Sequence, residues 1–111
     1  MKIAILRVGS VDENLMRSIQ SGLCEVFSET TCSILDDVMP MPKDAYDTAR
    51  RQYYSSNILA KVETEKHDAD RVLAVTEADL YVPRLNFVFG EALCPGKAAV
   101  ISLCRLRPEF Y

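Results

Sequence analysis

The chain has 111 residues, 13 basic and 16 acidic, giving a net charge of −3, and 49% of it is apolar. That apolar share excludes intrinsic disorder, four glycines and five prolines exclude collagen-like or low-complexity structure, and no apolar run approaches the roughly 20 residues of a membrane-spanning helix. Arg50, Arg51, Arg71, Arg84, Arg105 and Arg107 are scattered and leave no basic footprint, so neither nucleic acid nor membrane is expected as a partner.

The first apolar stretch, residues 3–6, is too short for the apolar core of a secretory leader, so a cytoplasmic location is expected. Cys24, Cys32, Cys94 and Cys104 form no C-x-x-C pair. Neither a zinc knuckle nor a disulfide framework follows, and the four read as small buried hydrophobes.

Residues 2–8 form a short apolar run without alternation, as in a strand buried on both faces. Ser10 and Glu13 then match an S-x-x-E capping box, and Leu15, Ile19, Leu23 and Val26 follow at helical spacing, predicting an amphipathic helix over 11–28. Residues 31–35 predict a second strand, ended by Asp36, Asp37, Pro40 and Pro42. Residues 43–54 read either as a helix capped by Asp44 or as irregular chain, and Ser55 or Ser56 can cap a second helix running to about Lys66. Three more strands are expected at 71–75, at 85–89 (about 85–93 at its widest) and from 98 to about 106.

The connections set the topology. Strands one, two and three are separated by helices and suit parallel crossovers, whereas the turn at Cys94-Pro95-Gly96-Lys97 suits an antiparallel neighbour. The expectation is an α/β fold: a mixed, mostly parallel five-stranded sheet, one antiparallel edge strand at about 85–93, and two helices. Such a sheet is roughly 20–25 Å wide, and each face needs about two helices. Two are available for two faces, so the single unit 1–111 is expected to be the N-terminal part of a larger α/β unit.

Each candidate for chemistry has a plainer alternative. His67, Asp68 and Asp70 supply one imidazole and two carboxylates, few for a zinc centre, and suit a solvated helix end. Asp36 and Asp37 suit a polar turn. Val8-Gly9-Ser10 before a helix could hold an anion but lacks any nucleotide-loop motif. Ser10, Ser55, Ser56 and Ser102 have no G-x-S-x-G surround, and Cys94 has no base beside it. Tyr46, Tyr53 and Tyr54 near Arg50 and Arg51 could stack on a ligand or simply pack a loop. Thr76-Glu77-Ala78-Asp79 fits a helix cap. The edge strand is the strongest functional feature, because unpaired N–H and C=O groups can take an extended peptide as a further strand; the alternative is an edge covered by a loop.

Arg71-Val72-Leu73-Ala74-Val75-Thr76-Glu77-Ala78-Asp79-Leu80-Tyr81-Val82-Pro83, followed by Leu85-Asn86-Phe87-Val88-Phe89-Gly90-Glu91-Ala92, resembles the archaemetzincins. Ala49-Arg50-Arg51-Gln52-Tyr53 with Ile58-Leu59 upstream, and Ala99-Val100-Ile101-Ser102-Leu103 with Arg105-Leu106-Arg107-Pro108 downstream, extend the resemblance over most of 46–111. It implies a metzincin-like N-terminal subdomain of a zinc metallopeptidase. It also implies a zinc cofactor held by H-E-x-x-H-x-x-G-x-x-H, with the Glu as general base on zinc-bound water. That motif is absent here, and His67 does not match it, so no catalytic residue and no metal ligand is assigned in this chain. The resemblance implies that Phe87, Val88, Phe89, Gly90 and Glu91 lie along a peptide or protein substrate, and that the C-terminal remainder of the polypeptide is the chain's partner. The alternative is a non-catalytic peptide-binding or oligomerisation module.

Overall fold

The structure, a computed structural model, describes residues 1–65 and 67–106. Lys66 and residues 107–111, which carry the expected end of the second helix and the last part of the resemblance, lie outside the described residues. Five strands, β1 (Lys2–Val8), β2 (Thr31–Met39), β5 (Arg71–Thr76), β7 (Gly90–Ala92) and β8 (Ala98–Ser102), form one sheet in the order β2-β1-β5-β8-β7. The first four strands of that order are mutually parallel and β7 is antiparallel to β8. Two helices, α1 (Glu13–Val26) and α2 (Ser55–Thr64), complete the expected architecture.

Alternation in the central strands supplies two apolar layers, because successive side chains point to opposite faces. Ala4, Leu6 and Val8 of β1, Val72 and Ala74 of β5, and Ala98 and Val100 of β8 meet Ile58, Leu59 and Val62 of α2. Ile3, Ile5, Cys32 and Val75 line the other face, where Met16, Ile19 and Leu23 of α1 pack. The buried stripe of α1 is thus centred on Met16, which is 0% exposed, while Leu15 is 41% and Val26 74% exposed.

Several local expectations shift. Helix α1 is capped by Asp12, whose carboxylate accepts from the N–H of Asn14 (2.7 Å) and of Leu15 (3.3 Å). Ser10 is therefore not the cap, and Glu13 instead binds Arg7 and Arg17, which draws its carboxylate away from the capping position. Strand β2 continues beyond Leu35 to Met39; Asp36 and Asp37 sit in an irregularity where pairing with β1 jumps from Ile34 to Val38. Gly9 leaves β1 at φ +74° and donates to the Met39 carbonyl (2.8 Å), which closes the turn into α1.

Residues 43–54 are not helical beyond a single 3₁₀ turn, Lys43–Ala45. They build most of a second, small sheet: β3 (Tyr46–Asp47), β4 (Gln52–Tyr54) and β6 (Leu80–Tyr81), in the order β3-β4-β6. Thr76 does not cap a helix; its hydroxyl accepts from the Ala78 N–H (3.2 Å) and turns the chain into β6. The last strand stops at Ser102, before a 3₁₀ turn at Cys104–Leu106.

Candidate functional site

Strand β7 is the outermost strand on one side of the main sheet. Its register pairs Gly90 with Ile101, Glu91 with Val100 and Ala92 with Ala99. The N–H of Ser102 bonds the Phe89 carbonyl (2.8 Å) and that of Leu93 bonds the Ala98 carbonyl (3.1 Å). In an antiparallel pair the hydrogen-bonded positions alternate, so 89, 91 and 93 face β8 and the backbone groups of Gly90 and Ala92 point outward. No described strand pairs with that outer side.

The strand is shorter than the expected 85–93. Residues before Gly90 have other partners. Arg50 donates to the carbonyls of Leu85 (3.1 Å) and Pro83 (3.2 Å) while its guanidinium lies 4.2 Å from the centre of the Tyr81 ring. Gln52 donates from one amide nitrogen to the Asn86 carbonyl (2.7 Å) and to Asp79 (2.9 Å). The Val88 N–H bonds the Leu80 carbonyl (2.9 Å). Side chains from β4 and its preceding turn thus hold residues 83–88 as a supported loop that delivers the chain to Gly90.

Phe87 and Phe89 make an edge-to-face pair with ring centres 5.2 Å apart, and Arg105 stacks on Phe87 at 4.1 Å. Arg105 also grips Asp79 with two nitrogens, each at 2.9 Å. Burial pushes the Asp79 carboxyl upward, but the hydrogen bonds from Arg105 and Gln52 outweigh it and leave its pKa below the usual value. The tyrosines pack on one another: Tyr46 on Tyr53 at 4.9 Å and Tyr54 on Tyr81 at 5.6 Å.

Glu91 points to the α2 side, level with buried Val100. Its carboxylate accepts from the hydroxyls of both Ser55 and Ser56, the latter at 3.0 and 2.9 Å. Neither Ser55 nor Ser56 caps α2, as the sequence had allowed for one or the other; they open it as its first two residues and clamp the edge strand to the helix start. At Gly90 an added Cβ would lie 2.6 Å from the Val100 carbonyl oxygen, so the close approach of β7 to β8 requires glycine there.

On the opposite face, α1 packs against the β2 side of the sheet and leaves an apolar groove of about 270 Å³ beside β7. Leu23, Leu73, Ala92, Leu93 and Ala99 line it.

Of the expected residues, only Gly90 and Glu91 lie in the edge strand; Phe89 adjoins it, and Phe87 and Val88 belong to the supporting loop. Ala92, with its outward backbone groups, joins the site. The period-two pattern could have shown this, since Ala92 lies two residues beyond Gly90.

The remaining candidates are dispersed. Asp70 accepts from the Lys2 N–H (2.8 Å), a bond that lowers its pKa. Among the described residues no three His, Cys, Asp or Glu side chains come together in a way that could hold a metal ion. The whole sequence has one histidine, so the residues present do not fit a three-histidine zinc centre.

No protein-family model matches the chain. An archaemetzincin from Methanocaldococcus jannaschii is 45% identical over 111 residues, all of this chain and 59% of the relative. One from Methanopyrus kandleri is 40% identical over 100 residues, 82% of this chain and 57% of the relative. The chain belongs to the archaemetzincin family. It spans about three fifths of the length of the curated archaemetzincins it matches. The crystal structure of the Archaeoglobus fulgidus archaemetzincin, complexed with malonate, superposes with a TM-score of 0.82 at 32% identity, covering 96% of this chain and 63% of that one. A Methanocorpusculum labreanum protein described as a zinc-dependent peptidase gives 0.80 at 29% identity, covering 98% and 67%. The archaemetzincin architecture therefore accounts for the mixed sheet and its antiparallel edge. No helix among the described residues is long and apolar enough to cross a membrane.

Proposed function

We propose that this chain is the N-terminal, sheet-bearing part of a cytoplasmic zinc-dependent peptidase, in which β7 receives the peptide substrate as an added strand. The observation that carries this reading is the outward-facing backbone of Gly90 and Ala92 on an edge held rigid from behind by Glu91, Ser55 and Ser56. An added strand gains main-chain hydrogen bonds with little regard to sequence, which suits a protein whose substrate is polypeptide.

The zinc-dependent peptidase among the similar structures supports the reaction type. This chain has one histidine, so in this reading the zinc ligands come from polypeptide outside the sequence, and this part holds substrate without making or breaking bonds. The groove beside Leu73, Leu93 and Ala99 is then the seat of a helix from that remainder, since its apolar lining gains by being covered.

The test uses the full-length polypeptide and this chain side by side. The full-length protein should bind zinc and cleave members of a peptide library, with cleavage abolished by a chelator and restored by zinc. The chain alone should cleave none, while a non-cleavable extended peptide shifts the amide resonances of Gly90 and Ala92. Full-length protein that binds no zinc and cleaves nothing would overturn the peptidase reading. An unchanged Gly90 and Ala92 at saturating peptide would overturn the edge-strand role.

A further inference from the structure

We propose that Cys24 and Cys32 form a modification site: a dithiol that closes to a disulfide between α1 and β2 on exposure to a small-molecule disulfide. The residues are eight apart in sequence, one on α1 and the other on β2, and α1 packs on the face of the sheet to which Cys32 points. Gln20, one helical turn before Cys24, donates to the Cys32 carbonyl (2.7 Å), and Leu23 packs in the cluster that contains Cys32. Residues four apart share a helix face, so Cys24 follows Gln20 over β2. The two thiols lie close enough that Cys24 acts on the titration of Cys32.

The pair is chemically asymmetric. Cys24 is exposed and Cys32 is 7% exposed. Burial first, and then the neighbouring Cys24 thiol, push the Cys32 thiol up in pKa, so its thiolate is scarce. The order of events follows. The Cys24 thiolate attacks glutathione disulfide, forming a mixed disulfide and releasing one glutathione thiolate. Cys32 then loses its proton and attacks the Cys24 sulfur, expelling the second glutathione. The two protein thiols give up two electrons and two protons, and one glutathione disulfide becomes two glutathione thiols. Cys94, also exposed, lies outside α1 and β2, between β7 and β8, and is the internal control.

The sequence makes the product easy to read. Trypsin releases residues 18–43 as one peptide holding both thiols, because no Lys or Arg lies between Arg17 and Lys43. Cleavage after Glu25 or Glu29 separates the two cysteines unless a disulfide joins them. In the full-length protein treated with glutathione disulfide, peptide 18–43 should lose about 2 Da, as two hydrogens leave. It should stay joined after the second cleavage and regain its mass with dithiothreitol. Cys32→Ala should instead stop at a glutathione adduct on Cys24. If wild-type Cys24 accumulates as the adduct, or stays reduced while Cys94 is modified, the proposal is wrong.

Discussion

Arg105 and Asp79 form a two-pronged ion pair, Nε on Oδ1 and Nη2 on Oδ2, both at 2.9 Å. It joins the 3₁₀ turn that follows β8 to the turn after β5, and the same guanidinium carries the Phe87 ring. Asp79 is further held by Gln52, which also grips the Asn86 carbonyl. One ion pair thus braces the whole approach to β7. Replacing Asp79 with Ala removes the carboxylate that Arg105 and Gln52 share and should cost about 1–3 kcal/mol by denaturant unfolding.

The same pair fixes an acid limb. Asp79 titrates lower in the folded chain than in the unfolded one, because Arg105 and Gln52 outweigh the opposing effect of burial. The unfolded state therefore binds protons first as pH falls. The contribution is complete above about pH 4, the ordinary carboxylate value, and is lost as pH drops through the lower folded value. Asp79→Asn should show a shallower loss of stability over that interval when urea midpoints are compared along a pH series.

Glu91 and the serines of α2 should be energetically coupled. Glu91→Gln, Ser55→Ala with Ser56→Ala, and the combined variant form a thermodynamic cycle. A coupling of about 0.5–2 kcal/mol is expected, since the hydroxyls donate to a charged acceptor. Additive losses would show that the clamp is decorative.

Gly90→Ala places a methyl group against the Val100 carbonyl, which is backbone and cannot swing aside. The expected cost is about 1–3 kcal/mol. Amide exchange should accelerate at Leu93 and Ser102, whose N–H groups tie β7 to β8.

The α1 stripe can be tested at adjacent positions. Met16→Ala should cost about 2–5 kcal/mol because it empties a fully buried site. Leu15→Ala, at a 41% exposed position, should change stability by no more than about 0.5 kcal/mol.

The main sheet was legible in the sequence because its strands advertise themselves. The runs at Lys2–Val8 and Arg71–Thr76 are apolar on both faces, and the turn at residues 94–97 reverses the chain. Helix α1 was legible in extent but not in phase, since Leu15 and Met16 are equally apolar and only packing chooses Met16. The small sheet was not legible: Tyr46–Asp47, Gln52–Tyr54 and Leu80–Tyr81 are two or three residues each, too short for periodicity to show. The edge strand was overextended for a related reason. Residues 85–89 have the composition of a strand, but Arg50 and Gln52, more than 30 positions upstream, claim its carbonyls. The three-histidine zinc motif is absent from this sequence, so no catalytic residue or metal ligand was there to be read.

The direction of Glu91 has a consequence for any guest strand. A chain laid beside β7 would present its side chains alternately to two unlike walls. Those on the helix side would meet Glu91 and the serines that hold it, and those on the far side would meet the apolar face that carries Ala92. Such an arrangement would sort guest strands by a binary pattern, polar then apolar, before any single pocket had a say.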